Sequence, residues 1–143
     1  MKVEGLFPRE SFDGIICNPP YFEKGHGIQC KDRARMISRS EEIMTLEGLL
    51  GAMAYLLKSR APVYMIYRPR RLAELLQSLV RFDLEPKTLR FIHPRKGKEA
   101  NLFLLEAVKN GGRQCRVLEP LFVYEKDGYS PETLKIYEEL RMG

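Results

Sequence analysis

Three apolar runs in this sequence are each cut off by proline on their C-terminal side. They are Phe12 to Cys17 before Pro19-Pro20, Pro62 to Tyr67 before Pro69, and Glu85 to Ile92 before Pro94. Proline has no N–H to give to a sheet ladder, so each run reads as a short strand with a fixed stop. Segments of helical period lie between them. Ile43, Met44, Leu46, Leu49, Leu50, Met53, Leu56 and Leu57 recur at that spacing up to about Ser59. Ser38 or Ser40 is the expected cap, with Glu41 and Glu42 in the first turn. Leu72, Leu75, Leu76 and Leu79 line one face of a second helix over Leu72 to Val80. This alternation predicts parallel strands with helices on both faces. A further apolar strand, Asn101 to Val108, follows the third run after a short basic loop, which predicts an antiparallel pair. Asn110-Gly111-Gly112 turns that strand out, and Arg116 to Leu118 is a short extension. Pro131 to Arg141, capped by Ser130, is a terminal helix. The expected class is α/β, a mostly parallel sheet with one antiparallel strand near its edge.

A chain of 143 residues suits one domain, and no linker or repeat divides it. No run approaches the ~20 apolar residues of a membrane span. The start carries Lys2, Glu4, Arg9 and Glu10, unlike a signal peptide. The three cysteines, Cys17, Cys30 and Cys115, have no metal-ligand spacing, and only His26 and His93 could join them. A reduced, cytoplasmic protein without a metal site is the expectation. The net charge of +5 favours a polyanionic partner. Its distribution is more informative. Lys31, Arg33, Arg35 and Arg39 form one cluster, Arg68, Arg70 and Arg71 a second, and Arg95, Lys96 and Lys98 a third. Each follows an expected strand or its loop, where phosphate contacts can form, although charge runs are also the usual solvated surface.

Asn18-Pro19-Pro20-Tyr21 stands at the C-terminal end of the first strand. In open α/β sheets, ligands bind outside those ends. Prolines offer carbonyls and no N–H, so this turn is rich in acceptors. A residue before proline is held extended, which helps to aim Asn18. The Asn18 side-chain oxygen and the Pro19 carbonyl can take the two hydrogens of a planar amine, while Tyr21 stacks on its ring. Such a grip favours a pyramidal nitrogen with an available lone pair, and rate then comes from positioning and preorganised dipoles. A nucleobase held this way must first leave its stack. The plainer alternative is a proline turn with Tyr21 as a packing residue.

"FDGIICNPPYF" resembles the fourth conserved motif of S-adenosylmethionine-dependent amino-methyltransferases. The family's Asn-Pro-Pro-Tyr falls residue for residue on Asn18, Pro19, Pro20 and Tyr21. "YRPRRLAELL" (Tyr67 to Leu76), "LEPKTLRFIHPRKGKEANLFLLEAVKNG" (Leu84 to Gly111) and "VLEPLFVYEKDGYSPE" (Val117 to Glu132) are similar to the bacterial tRNA(1)(Val) adenine-N6 methyltransferases. The resemblance implies a Rossmann-like methyltransferase fold, S-adenosylmethionine as cofactor, tRNA as partner, and methyl transfer to the exocyclic amine of adenine. It implies Asn18, Pro19, Pro20 and Tyr21 as catalytic residues, with Asn18 also touching the edge of the cofactor. Substrate contacts fall to Tyr21, Phe22, Arg68, Arg95, Lys96 and Lys98. The family's Gly-rich cofactor loop precedes this motif, and here none does; Gly25-His26-Gly27 comes after it. The expectation is a C-terminal, substrate-side half over residues 1–143, with the N-terminal cofactor-binding half absent. The strand bearing Ile15 and Ile16 then becomes a bare edge, which favours self-association. Two other functions stay open: a non-catalytic tRNA-binding or self-associating remnant, and a protein-glutamine methyltransferase, since the same motif serves amide nitrogens. His93 is expected to pack or cap, Asp13 to cap the strand's entry, and Cys17 to be buried and inert.

Overall fold

The computed structural model describes residues 3–19 and 45–143. Strand β1 (Ile15–Cys17) leads to helix α1 (Leu46–Leu56), strand β2 (Pro62–Tyr67), a 3-10 turn (Pro69–Arg71), helix α2 (Leu72–Arg81), and strands β3 (Leu84–His93) and β4 (Leu102–Lys109). Two-residue strands follow: β5 (Arg116–Val117), β6 (Leu121–Phe122), β7 (Tyr124–Glu125) and β8 (Gly128–Tyr129), and helix α3 (Pro131–Met142) ends the chain.

The sheet runs β1-β2-β4-β3-β5, with β6 also on β3. β1 is parallel to β2, β5 and β6 are parallel to β3, and β4 is antiparallel to both β2 and β3. The sheet is therefore mostly parallel, with β4 as the antiparallel strand inserted between β2 and β3. Its register is set by alternation. Val63, Met65 and Tyr67 of β2 face the core with Phe103, Leu105 and Ala107 of β4. A one-residue slip of either strand would turn its three to the other side. Pro86 cannot donate to the ladder, and the β3–β4 register shifts between Pro86 and Thr88.

α1 begins later than its hydroxyl candidates suggest. Ser38 and Ser40 lie outside the described residues, and Thr45 is the N-cap, its side chain accepting from the Gly48 N–H at 3.0 Å. Leu46, Leu49, Leu50 and Met53 then pack on the sheet together with Leu75 and Leu79 of α2. α1 and α2 thus share one face. α3 meets the other side only at the margin, where Arg90 of β3 donates to Glu132 at 2.6 Å. Between that margin and β1 no described element covers the second face: Ile16 is 87% exposed, Tyr64 45% and Leu104 41%. No described helix is long and apolar enough to cross a membrane.

Candidate active site

β1, β2 and β3 point the same way, so their C-terminal ends share one rim of the sheet. Asn18 follows β1, Arg68 follows β2, and Arg95, Lys96 and Lys98 follow β3. With strands spaced about 4.8 Å apart, the rim from β1 to β3 spans roughly 14 Å. All five side chains are exposed. Pro19 is fully buried. Its ring anchors the turn while Asn18, one residue earlier, stays open to solvent. Pro20, Tyr21 and Phe22 lie outside the described residues.

Asn18 also borders a cavity of about 420 Å³ on the open face, lined by Ile16, Tyr64, Thr88, Arg90, Leu104 and Glu106 among others. Its lining is largely apolar, with Tyr64, Glu106 and Thr88 forming a hydrogen-bonded strip across the strands. The Tyr64 hydroxyl donates to Glu106 at 3.3 Å, and the Thr88 hydroxyl donates to the other Glu106 oxygen at 2.8 Å. The Glu106 carboxylate beside it pushes the Tyr64 phenol up. Burial does the same to the half-buried Cys17 thiol, which favours its protonated form.

The basic loop after β3 has its own order. Gly97 sits at φ +80, a left-handed turn that glycine takes freely. His93 Nδ1 lies 2.7 Å from the Lys98 carbonyl, and its ring leans on Phe122 with centroids 5.4 Å apart. His93 is therefore a packing and loop-bracing residue. Arg95 donates to the Lys126 carbonyl and stands over the Tyr124 ring at 5.4 Å. Asp13 pairs with Lys58 at 2.7 Å. Two features went unread in the sequence: the polar strip around Glu106, and the tyrosines of the β7–β8 hairpin. Asp127-Gly128 between two tyrosines was the available signal for the second. Among the described residues no group of His, Cys, Asp and Glu could hold a metal ion.

No protein-family profile matches the chain. Curated relatives do. The tRNA1(Val) (adenine(37)-N6)-methyltransferase of Photobacterium profundum is 24% identical over 90% of this chain and 53% of its own length. That of Phocaeicola vulgatus is 27% identical over the same shares, 90% and 53%. That of Shewanella frigidimarina is 33% identical over 69% of this chain and 39% of its own. A solved structure described as a predicted O-methyltransferase from Agrobacterium tumefaciens superposes with a TM-score of 0.71 at 22% identity, covering 94% of this chain and 54% of that one. The fold is thus that of a methyltransferase. The chain's relatives by sequence are the bacterial tRNA1(Val) (adenine(37)-N6)-methyltransferases, and it spans about half the length of those first matched, 53%.

Proposed function

We propose that the chain is the substrate-side half of an S-adenosylmethionine-dependent N-methyltransferase acting on the exocyclic amine of adenine in tRNA. The observation that carries this reading is the rim: an exposed Asn18 on a turn anchored by buried Pro19, in line with Arg68 and the Arg95–Lys98 loop. The Asn18 oxygen and the Pro19 carbonyl hold the amine hydrogens and leave the nitrogen lone pair facing the methyl donor. The motif's remaining residues, Pro20 and Tyr21, are assigned to the same catalytic task, with Tyr21 and Phe22 to contact the base. Arg68, Arg95, Lys96 and Lys98 take backbone phosphates, which positions the tRNA without reading its bases. A cytoplasmic setting suits both this substrate and the free thiols Cys17 and Cys115.

The described residues do not by themselves cradle the cofactor. β1 is the sheet's edge, and no strand or glycine turn lies beyond it among them. Of the carboxylates that precede β1, Glu10 and Asp13 are paired with Lys109 and Lys58. In this proposal a cofactor-binding half, corresponding to the remaining length of the relatives, stands against β1. The open face and the β1 edge support one further partner when the 143-residue chain is alone: a second copy of itself.

The test is methyl transfer to a tRNA1(Val) transcript. The chain is supplemented with the N-terminal half of the Photobacterium profundum relative. Asn18→Ala should lower transfer by about 100-fold or more, as loss of one preorganised polar contact does. Its tRNA affinity should stay within about twofold, since phosphate contacts carry the binding. Unchanged transfer by Asn18→Ala, or methyl groups found elsewhere than on adenine N6, would sink the proposal.

A further inference from the structure

Away from Asn18, four side chains form a continuous column. Tyr124 and Tyr129 face each other across the β7–β8 hairpin with centroids 5.3 Å apart and planes 15° from parallel. Tyr137 of α3 leans on Tyr129 at 5.4 Å and 53°. The Arg95 guanidinium closes the other end over Tyr124. The hydroxyls converge as well: the Tyr129 phenol is pushed up, first by its hydrogen bond with Tyr137. Yet the rings are not core. Tyr124 is 40% exposed, Tyr129 43% and Tyr137 48%.

Beside the Arg95 end lies a groove of about 560 Å³, lined by Arg95, Lys96, Phe122, Tyr124 and Lys126, with Glu125 and the first turn of α3 across from them. That volume is in the range of small-ligand sites, roughly 300–1,000 Å³. Three cations border it. Of its two acids, Glu132 is neutralised by Arg90 at 2.6 Å. The groove is thus basic, with aromatic walls.

We propose that this groove takes one unstacked base of an RNA strand, stacked on the outer face of the Arg95 guanidinium that Tyr124 backs, with Lys96 and Lys126 on the flanking phosphates. Tyr129 and Tyr137 brace Tyr124 from behind, so the Arg95–Tyr124 stack is held in place before binding and little side-chain freedom is lost. Every base has a flat face, so such a site is sequence-tolerant; it grips a nucleotide beside the reacting one and identifies nothing by itself. The proposal rests on the nucleic-acid reading above and adds to it a second anchor on the β3 side of the rim.

Fluorescence anisotropy with a short fluorescein-labelled single-stranded oligoadenylate tests it on the full chain. Tyr124→Ala releases the guanidinium plane on which the base stacks and should weaken binding by about tenfold, the scale of one lost stacking contact, while Tyr124→Phe stays within about twofold. Lys96→Ala should reduce the slope of log affinity against log salt by about 0.7. If Tyr124→Ala binds as the parent does, the base-stacking site is wrong, while the nucleic-acid reading stands. If Tyr124→Phe loses as much as Tyr124→Ala, the hydroxyl and not the ring makes the contact, and the proposal is equally overturned. If the parent binds neither oligoadenylate nor tRNA, both readings fall.

Discussion

Lys109 shows how one side chain can tie distant parts of a small domain. Only 8% of its side chain is exposed, and its Nζ donates to Glu10 at 3.0 Å and to the Leu57 carbonyl at 2.7 Å. It thereby joins the segment before β1, the end of α1 and the end of β4. Lys109→Met keeps the stem's bulk but removes the donor, leaving the Leu57 carbonyl short of a partner. A loss of about 1–3 kcal/mol is expected, read as a lower urea midpoint. The same contact sets an acid limb. The hydrogen bond from Lys109, and then its charge, hold the Glu10 carboxyl below its usual value of 4.5. The folded pKa therefore lies below the unfolded one. The linked stability is complete above the ordinary glutamate range and drains as pH falls through the depressed value. Urea titrations across that window should slope for the parent and flatten for Glu10→Gln; identical slopes would remove Glu10 as the cause. None of this was legible beforehand. A lysine closing an apolar strand looks like a solvated strand end, and its carboxylate partner is 99 positions away. That β1 ends just before Asn18 was legible, because a proline's effect on the ladder acts within one or two residues.

Elements differ in what holds them. α1 and α2 are fixed by the leucines they bury, but α3 buries only Thr133, with Leu134, Ile136, Tyr137, Leu140 and Met142 all substantially exposed. A helix of 12 residues is marginal in water without packing. Its start therefore matters more than its sides. Ser130 accepts from the Thr133 N–H at 3.2 Å, and Pro131 fixes the first helical residue. Ser130→Ala should cost about 1 kcal/mol, concentrated in α3. Hydrogen exchange should quicken along residues 133–142 while the β2, β3 and β4 amides keep their protection. Equal loss of protection in the sheet would mean that α3 and the core unfold together. The Ser130-Pro131 start was legible because both signals are local and adjacent. The α1 start was not, because Ser38, Ser40 and Thr45 compete as hydroxyl caps, and the structure favours the one whose side chain reaches Gly48. The β7–β8 hairpin was missed although Asp127-Gly128 marked it, since two-residue strands carry too little periodicity to register.

For the whole molecule, the strand-helix alternation was enough to give the parallel arrangement of β1, β2 and β3, and the short basic loop enough to give the antiparallel β4. Neither could say that β4 enters between β2 and β3, because periodicity describes faces and is silent about which edge of a strand is free. The consequence, among the described residues, is a sheet with α1 and α2 on one face and, toward β1, a second face that none of them covers. Ile16 at 87% exposure and Leu104 at 41% flank the Tyr64–Glu106–Thr88 strip, next to an edge strand with free backbone groups. Charged residues are the usual protection of such an edge, and β1 has none in Ile15–Cys17. The 143-residue chain alone should therefore pair with a second copy, giving a concentration-dependent mass in sedimentation equilibrium. Ile16→Lys should return it to monomer with little change in thermal stability, because a side chain that is already mostly exposed costs little to replace. If a relative's N-terminal half docks on the same edge, as the proposed function requires, adding it should dissolve the pair as methyl transfer appears. A dimer that persists with Ile16→Lys, or that survives beside an active reconstituted enzyme, would place self-association on some other surface.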